Sequence, residues 1–532
     1  MRTFCLLVLV LALSGCAPQE DPLDVILAGG SVYNGDDLEP VVADVGITGD
    51  RIAAVGNLSG RDATLRIDVS GLAVVPGFID IHSHAVRGDL EGGIFRWPDA
   101  ENLIRQGVTT VIGGPDGGSP LPITTVLTRL EEQPAAVNFG TFVGHGSIRS
   151  LIVGEDDRPP TDEELDLMRA EVRKAMEQGA YGLSSGLIYA PGRFATTEEV
   201  IELAKVAAEY DGIYISHMRE EGLDLLTSVA ETIRIGEEGR LPTQLTHHKV
   251  VGAPMWGKST ETLRMVDEAI ARGVDVSIDQ YPYTASSSSL TILFPGWSLD
   301  GGREALLERI RDPEARERLQ ADIAHRIEVD RGGNDPANVG LSSCPHDATL
   351  NGLNLADVLR RQEQEVTNEN AAELLMDLVE AGNCSAVYHA MVEEDVERIM
   401  VHPTTMPASD GGVVGPSDEV PHPRNYGTFA RVLGRYVRER KVMPFHTAIH
   451  KMSRLPADRT GLAGRGRIVP GAVADIAVLD PDTVMDRATF ENPHQYAEGA
   501  HDVFVSGEAV LLNGAMTGAR PGKVLRHSSP AS

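Results

Sequence analysis

The sequence predicts an α/β protein: a (β/α)8 TIM-type barrel with a small β-sandwich domain built from both ends of the chain. Three observations carry that prediction. Across about 76–450, short apolar runs alternate with amphipathic helical stretches, the pattern of βα units around a parallel sheet. Eight such runs can be counted, the number that closes a barrel. Strand-and-turn composition frames this middle, in DVILAGGSVYNG, DVGITGDRIAAVG and TLRIDVSG before it and ADIAVLD and VFVSGEAVLLNG after it. Neither end is large enough for its own β core, so 24–75 and 451–525 are assigned to one domain.

The eight runs are GFIDIHSH (77–84), GVTTVIGG (107–114), VNFGTFVG (137–144), YGLSSGL (181–187), IYISH (213–217), TQLTHHKV (243–250), DVSIDQYPY (275–283) and TTMPASDG (404–411). Helical segments separate most of them. The stretch 161–179 is one, with Thr161 at its N-cap and Glu164 completing a capping box. The stretch 284–403 is too long for one loop and carries polar helices around 302–327 and 355–381, so it reads as an insertion over the barrel mouth.

At 532 residues the chain exceeds one ordinary domain of about 150, although a barrel absorbs about 250 or more. Its 42% hydrophobic and 23% charged residues are those of a globular protein. Seventy-eight acidic against 47 basic residues leave a net charge of −31, which repels phosphate backbones and excludes nucleic acid as a partner. Aromatics at 5% provide no stacking platform for single strands.

The N-terminus reads as a signal for export. Arg2 precedes the apolar run Phe4 to Leu13, and Leu13-Ser14-Gly15-Cys16 resembles a bacterial lipobox. Residues 1–15 are then a signal peptide, Cys16 a lipid-anchored first residue and 16–23 a tether, with a soluble periplasmic protein cut nearby as the alternative. No later run reaches the roughly 18 apolar residues of a membrane helix. With Cys5 in the leader, Cys344 and Cys384 remain; an oxidising compartment permits them to pair, and the sequence leaves the pairing open.

Barrels place catalytic groups at the C-terminal ends of their strands. The first strand ends Asp80-Ile81-His82-Ser83-His84, and strand alternation puts His82 and His84 on one face, where two imidazoles converge on a metal. The fifth strand ends at His217, the sixth carries His247, His248 and Lys249, and the eighth ends Ser409-Asp410-Gly411. Each residue alone has a bland explanation, but their coincidence at strand ends points to a metal site. If His247 faces inward, so does Lys249, while His248 faces the helix layer. His247 is therefore a ligand candidate and Lys249 a substrate contact.

These strings resemble the amidohydrolase superfamily, specifically the N-acyl-D-amino-acid deacylases or D-aminoacylases. PGFIDIHSH, GVTTV, YGLSSGLIYAPG, ISHMREEG, HHKVVG, DQYPYTAS, HPTTMPASDG, HPRNYGTF and GRGRIVPGAVADIAVLD carry the resemblance, in family order, over about 24–514. It implies a metal-bearing barrel that hydrolyses an N-acyl bond on a D-amino acid. One departure stands out. D-aminoacylases resemble GNCG at the end of strand two, with the cysteine a metal ligand; here the residues are Gly114-Pro115-Asp116-Gly117. Asp116 is either a carboxylate ligand, able to bridge two ions, or part of a simple turn. Strand four ends Leu183, Ser184 and Ser185, with nothing like the bridging lysine of related hydrolases, so one or two ions are possible. Zinc suits this imidazole-rich set.

His82, His84, Asp116, His217 and His247 would then hold the metal, and Asp410 would take a proton from the attacking water and pass it to the amine. Lys249 would meet the substrate carboxylate, aided by Tyr281 and Ser287, although Ser286 to Ser289 can equally be a lid hinge. Arg424 either faces the amino acid or makes a loop salt bridge. Tyr189, His145 and Arg219 are further substrate contacts by resemblance. Two other readings stay open. One is a cyclic-amide hydrolase of dihydroorotase or hydantoinase type, or an isoaspartyl or D-dipeptidase. The other is a catalytically silent surface lipoprotein that binds peptides.

Overall fold

The computed structural model describes residues 22–86, 88 and 90–528; the signal peptide, Cys16 and most of the tether lie outside the described residues. The first five strands are β1 (Leu23–Val32), β2 (Val41–Thr48), β3 (Arg51–Gly56), β4 (Ala63–Asp68) and β5 (Ala73–Pro76). They bury Val25, Leu27, Val45, Ile47 and Ile52 in a core shared with Ile468, Ile476, Val478 and Phe504 from the other end of the chain. β1 pairs β2 along one edge; on the other its first half pairs β4 and its last two residues pair β5, so the sheet forks.

The barrel follows at once. Its strands are β6 (Phe78–Asp80), β7 (Val108–Gly113), β8 (Asn138–Thr141), which resumes after Phe142 as β9 (Val143–Gly144), β10 (Gly182–Gly186), β11 (Ile213–His217), β12 (Thr243–Leu245) and β13 (Val276–Gln280). The inserted segment contributes β14 (Ser286–Ser289), β15 (Val339–Ser343) and β16 (Ser385–Tyr388), and β17 (Thr405–Pro407) is the eighth barrel strand. Neighbouring barrel strands are parallel, and a bridge from Ser83 to Gly411 joins the last to the first. Ile79 and Ile112 meet Ile213 and Ile215 from the opposite wall, so the interior is packed and the active face lies above it. Gly182 allows β10 to lie against β11: its φ is +151°, and an added Cβ would meet Ile213 O at 1.9 Å.

Helices cover the outside. Asp162–Glu177 begins with the capping box of Thr161 and Glu164, and buries Met168, Val172 and Met176 on one stripe. The chain then returns to its starting sheet through β18 (Ile476–Leu479), β19 (Ala500–Val505), β20 (Glu508–Leu512) and β21 (Ala515–Met516). β18 pairs antiparallel with β5, completing nine strands from both ends of the described chain.

The inserted segment has its own apolar cluster, in which Leu290, Phe294, Leu319, Leu375 and Tyr388 pack together and reach Ile188 and Tyr189 of the barrel. Ser286 to Ser289 form a strand of its three-stranded sheet, and Cys344 is joined to Cys384. No helix among the described residues is long and apolar enough to cross a membrane.

Candidate metal centre and active-site cavity

The barrel brings six of the expected side chains to one point. His82 and His84 leave the end of β6 together; Ile81, between them, packs instead with Met406 and Ala408. Asp116, on the loop after β7, lies among all four imidazoles. Its carboxylate is 3.4 Å from His82 Nε2, 3.3 Å from His84 Nε2, 3.3 Å from His247 Nε2 and 3.8 Å from His217 Nδ1. Asp410 closes the ring, 3.0 Å from His84 Nε2 and 3.5 Å from His82 Nε2. The donors form two groups sharing Asp116: His82, His84, Asp116 and Asp410, and Asp116, His217 and His247.

The donor chemistry fits a metal. Both ring nitrogens of His82 and of His217, Nε2 of His247 and Oδ1 of Asp116 are buried without a hydrogen-bond partner. Buried polar atoms are otherwise almost always paired, so a cluster of orphans converging on one carboxylate requires a cation to satisfy it. Burial pushes the His217 imidazole down to about 4, leaving it a neutral donor. Backbone strain marks the same place: Asp116, His247 and Asp410 all adopt left-handed φ, at 54°, 34° and 48°. Asp116 is therefore a carboxylate aimed into the ring by its turn.

Beyond β12, which ends at Leu245, the chain keeps an in-and-out order. His247 and Lys249 face inward, while His248 faces the helices and contacts Thr262 Oγ1 at 2.8 Å. Asp279, from the adjoining strand, accepts the His247 backbone N–H at 2.7 Å and lies 3.5 Å from His82 Nδ1. At the floor, buried Asp80 accepts hydrogen bonds from the Ser409 N–H at 2.9 Å and from the Ser409 hydroxyl, which fixes the turn presenting Asp410. At strand four, Ser184 donates to Gly114 O at 2.6 Å and Ser185 contacts Tyr214, so neither enters the ring.

A cavity of about 440 Å3 opens over the ring, with Lys249, Tyr281, Ser287, Tyr189 and Arg424 in its walls. Tyr189 sets its ring edge-on to His217 at 4.6 Å. Arg424 donates to Asp410 Oδ2 at 2.6 Å while its guanidinium lies over Tyr281. Burial pushes the Asp410 carboxyl up, but Arg424, His247 and His84 outweigh it and hold the group well below the carboxylate range.

Two residues that reasoning from sequence left unassigned complete the cavity. Glu221, four positions after His217, approaches His247 Nδ1 at 3.1 Å and pairs with Lys249. Arg331, delivered by the inserted segment, donates to the other oxygen of Glu221 at 2.9 Å and to Ser286 Oγ at 3.2 Å. Two cations, Lys249 and Arg331, thus share one carboxylate.

Two expected substrate contacts lie elsewhere. His145 is buried against Glu199 at 2.9 Å, within a network that includes Arg149. Arg219 grips Glu231 at 2.8 Å and donates to the carbonyls of Arg193 and Ala195. Helix carboxylates claim both, so each braces a loop beside the cavity instead of lining it.

Comparisons with known proteins agree with this geometry. Residues 66–511 match the amidohydrolase family profile. The D-aminoacylase of Alcaligenes xylosoxydans xylosoxydans is 38% identical over 531 residues, covering 96% of this chain and 98% of the relative. The crystal structure of an N-acyl-D-glutamate deacylase from Bordetella bronchiseptica, complexed with zinc and a phosphonate mimic of the tetrahedral intermediate, superposes with a TM-score of 0.80 at 34% identity, covering 95% of this chain and 100% of that one. A D-aminoacylase structure concerned with the role of its binuclear metal centre gives 0.79 at 35% identity, with 95% and 100% covered. With this likeness running through barrel, insertion and terminal sheet, the chain belongs to the amidohydrolase family.

Proposed function

We propose that this protein hydrolyses N-acyl-D-amino acids to a carboxylate and a free D-amino acid, using zinc held by His82, His84, Asp116, His217 and His247. The observation that carries this reading is the pair of donor groups sharing Asp116, placed beside a cavity that has Lys249 and Arg331 in its walls. The D-aminoacylase and N-acyl-D-glutamate deacylase relatives support the substrate class. Bound zinc supplies Lewis acidity, activating water and polarising a carbonyl. Asp410 takes the proton from that water and returns it to the departing amine nitrogen, a general-base then general-acid role. Arg424 holds Asp410 ionised and in place. Lys249 and Arg331 receive the substrate carboxylate, with Tyr281 and Ser287 beside it.

Amine release from paired N-acyl-D and N-acyl-L amino acids, by zinc-reconstituted protein lacking residues 1–16, tests the reading. The D series is the one expected to react. Metal-loaded protein that opens cyclic amides or cleaves dipeptides, yet releases no amine from either acyl series, would overturn it.

We also propose that the protein is exported to the periplasm and anchored by lipid at Cys16, on the strength of Leu13-Ser14-Gly15-Cys16 following an apolar leader. In a bacterial host the full chain should sediment with membranes and Cys16→Ser should not. Equal partitioning of the two would remove the anchor.

A further inference from the structure

Deacylation leaves two substituents to house, the tail of the acyl group and the amino-acid side chain, and two further cavities flank the central one. One, of about 420 Å3, shares His84, Asp410 and Arg424 with the centre and is lined by polar groups including Ser342, Ser385 and Glu419. The other, a groove of about 640 Å3, meets the centre at Asp116, Gly118 and Tyr189.

Asp410 decides which substituent goes where. The amine nitrogen must lie next to the group that protonates it, so the Cα and its side chain follow on the Asp410 side. Asp410 borders the polar cavity and not the groove. The acyl carbon's remaining substituent then points the other way, past Asp116. We infer that the groove beyond Asp116 binds the acyl tail, and that the substrates of this enzyme carry a long, uncharged aliphatic acyl chain. The inference rests on the deacylase reading and adds the acyl class to it.

The walls fit such a chain. Apart from Asp116 no residue lining the groove is charged, so a charged tail would meet only that carboxylate and the hydroxyls of Ser119, Ser147, Ser150 and Tyr189, whereas Leu121, Leu151, Ala190 and Pro191 offer apolar contact. Leu151, 63% exposed, stands where the groove meets solvent. The floor is bare backbone: a Cβ on Gly186 would meet Asp116 O at 2.2 Å, and one on Gly117 would meet Gly186 N at 2.7 Å. An acetyl methyl, about the size of one water at ~30 Å3, would leave nearly all of this volume to solvent. Each buried methylene is worth up to about fourfold in affinity, and binding of a remote chain can be expressed in turnover.

Gly118 provides the test. An added Cβ there meets nothing nearer than Pro115 O at 3.9 Å, so the backbone tolerates a substitution whose side chain would stand where the groove joins the centre. With the zinc-loaded enzyme, kcat/KM for one D-amino acid should rise at least about 50-fold from the N-acetyl to the N-octanoyl derivative. Gly118→Phe and Leu151→Glu should each cut the octanoyl-to-acetyl ratio at least about tenfold. Calorimetry should find octanoate binding more tightly than acetate to the parent enzyme, with the difference lost in Gly118→Phe. A flat length dependence, an equal loss on both substrates in the variants, or preference for a peptidyl over an octanoyl group would overturn the inference while leaving the deacylase reading intact. Failure to hydrolyse any N-acyl-D-amino acid would overturn both.

Discussion

Asp410→Asn should retain bound zinc and lose turnover by about 10²–10⁴-fold, the range over which positioned proton transfer contributes. Asparagine keeps the shape of the side chain and one acceptor oxygen, and the donors Asp116, His217 and His247 are untouched. What disappears is the negative charge that Arg424 approaches at 2.6 Å and His84 at 3.0 Å. An amide cannot take a proton from water at neutral pH or deliver one to the amine. Zinc content by elemental analysis, beside kcat on an N-acyl-D-amino acid, separates the outcomes. Zinc retained with near-parental kcat would exclude Asp410 from proton transfer, and zinc lost would make it principally a ligand.

Asp116→Ala should abolish activity through the metal itself. One carboxylate stands within 3.8 Å of four imidazoles and belongs to both donor groups, so its removal strips a shared oxygen ligand from each. The fall in zinc affinity should exceed the ~10–100-fold typical of changes to outer-layer partners. Asp116→Cys should restore zinc, because a thiolate is a good zinc ligand and the resemblance to D-aminoacylases places a cysteine at this turn. Zinc stoichiometry after dialysis against a weak chelator checks both variants. Parental stoichiometry in Asp116→Ala would reduce the residue to the simple turn.

Much of the centre was legible because strands have a period of two. Period-two alternation predicts a shared face for His82 and His84 and an inward pairing of His247 with Lys249. Both hold although β6 ends at Asp80 and β12 at Leu245, because the chain continues extended past one strand and turns at His247 beyond the other. Loops and insertions have no such period. Arg331 meets Glu221 from 110 residues away, through a segment whose docking no local pattern announces. Glu221 itself stands in the ISHMREEG string, and only the fold shows which of its two adjacent glutamates turns inward. The places of His145 and Arg219 are hidden for a related reason. Their partners Glu199 and Glu231 lie on surface-type helices whose pattern does not reveal that these carboxylates turn toward a loop. The fork in the terminal sheet was equally hidden, since parallel pairing of β4 and β5 with one strand leaves no mark on the alternation of β1.

The seam between β5 and β18 sets a schedule for making this protein. Val74 and Val75 reach their partners Val478 and Ala477 only after about 400 further residues have been synthesised. At roughly 5–20 residues per second, that is an interval of about 20–80 s. Throughout it β5 presents an unpaired apolar edge, the kind of surface that recruits foreign strands. That edge stays open until β18 arrives to seal it.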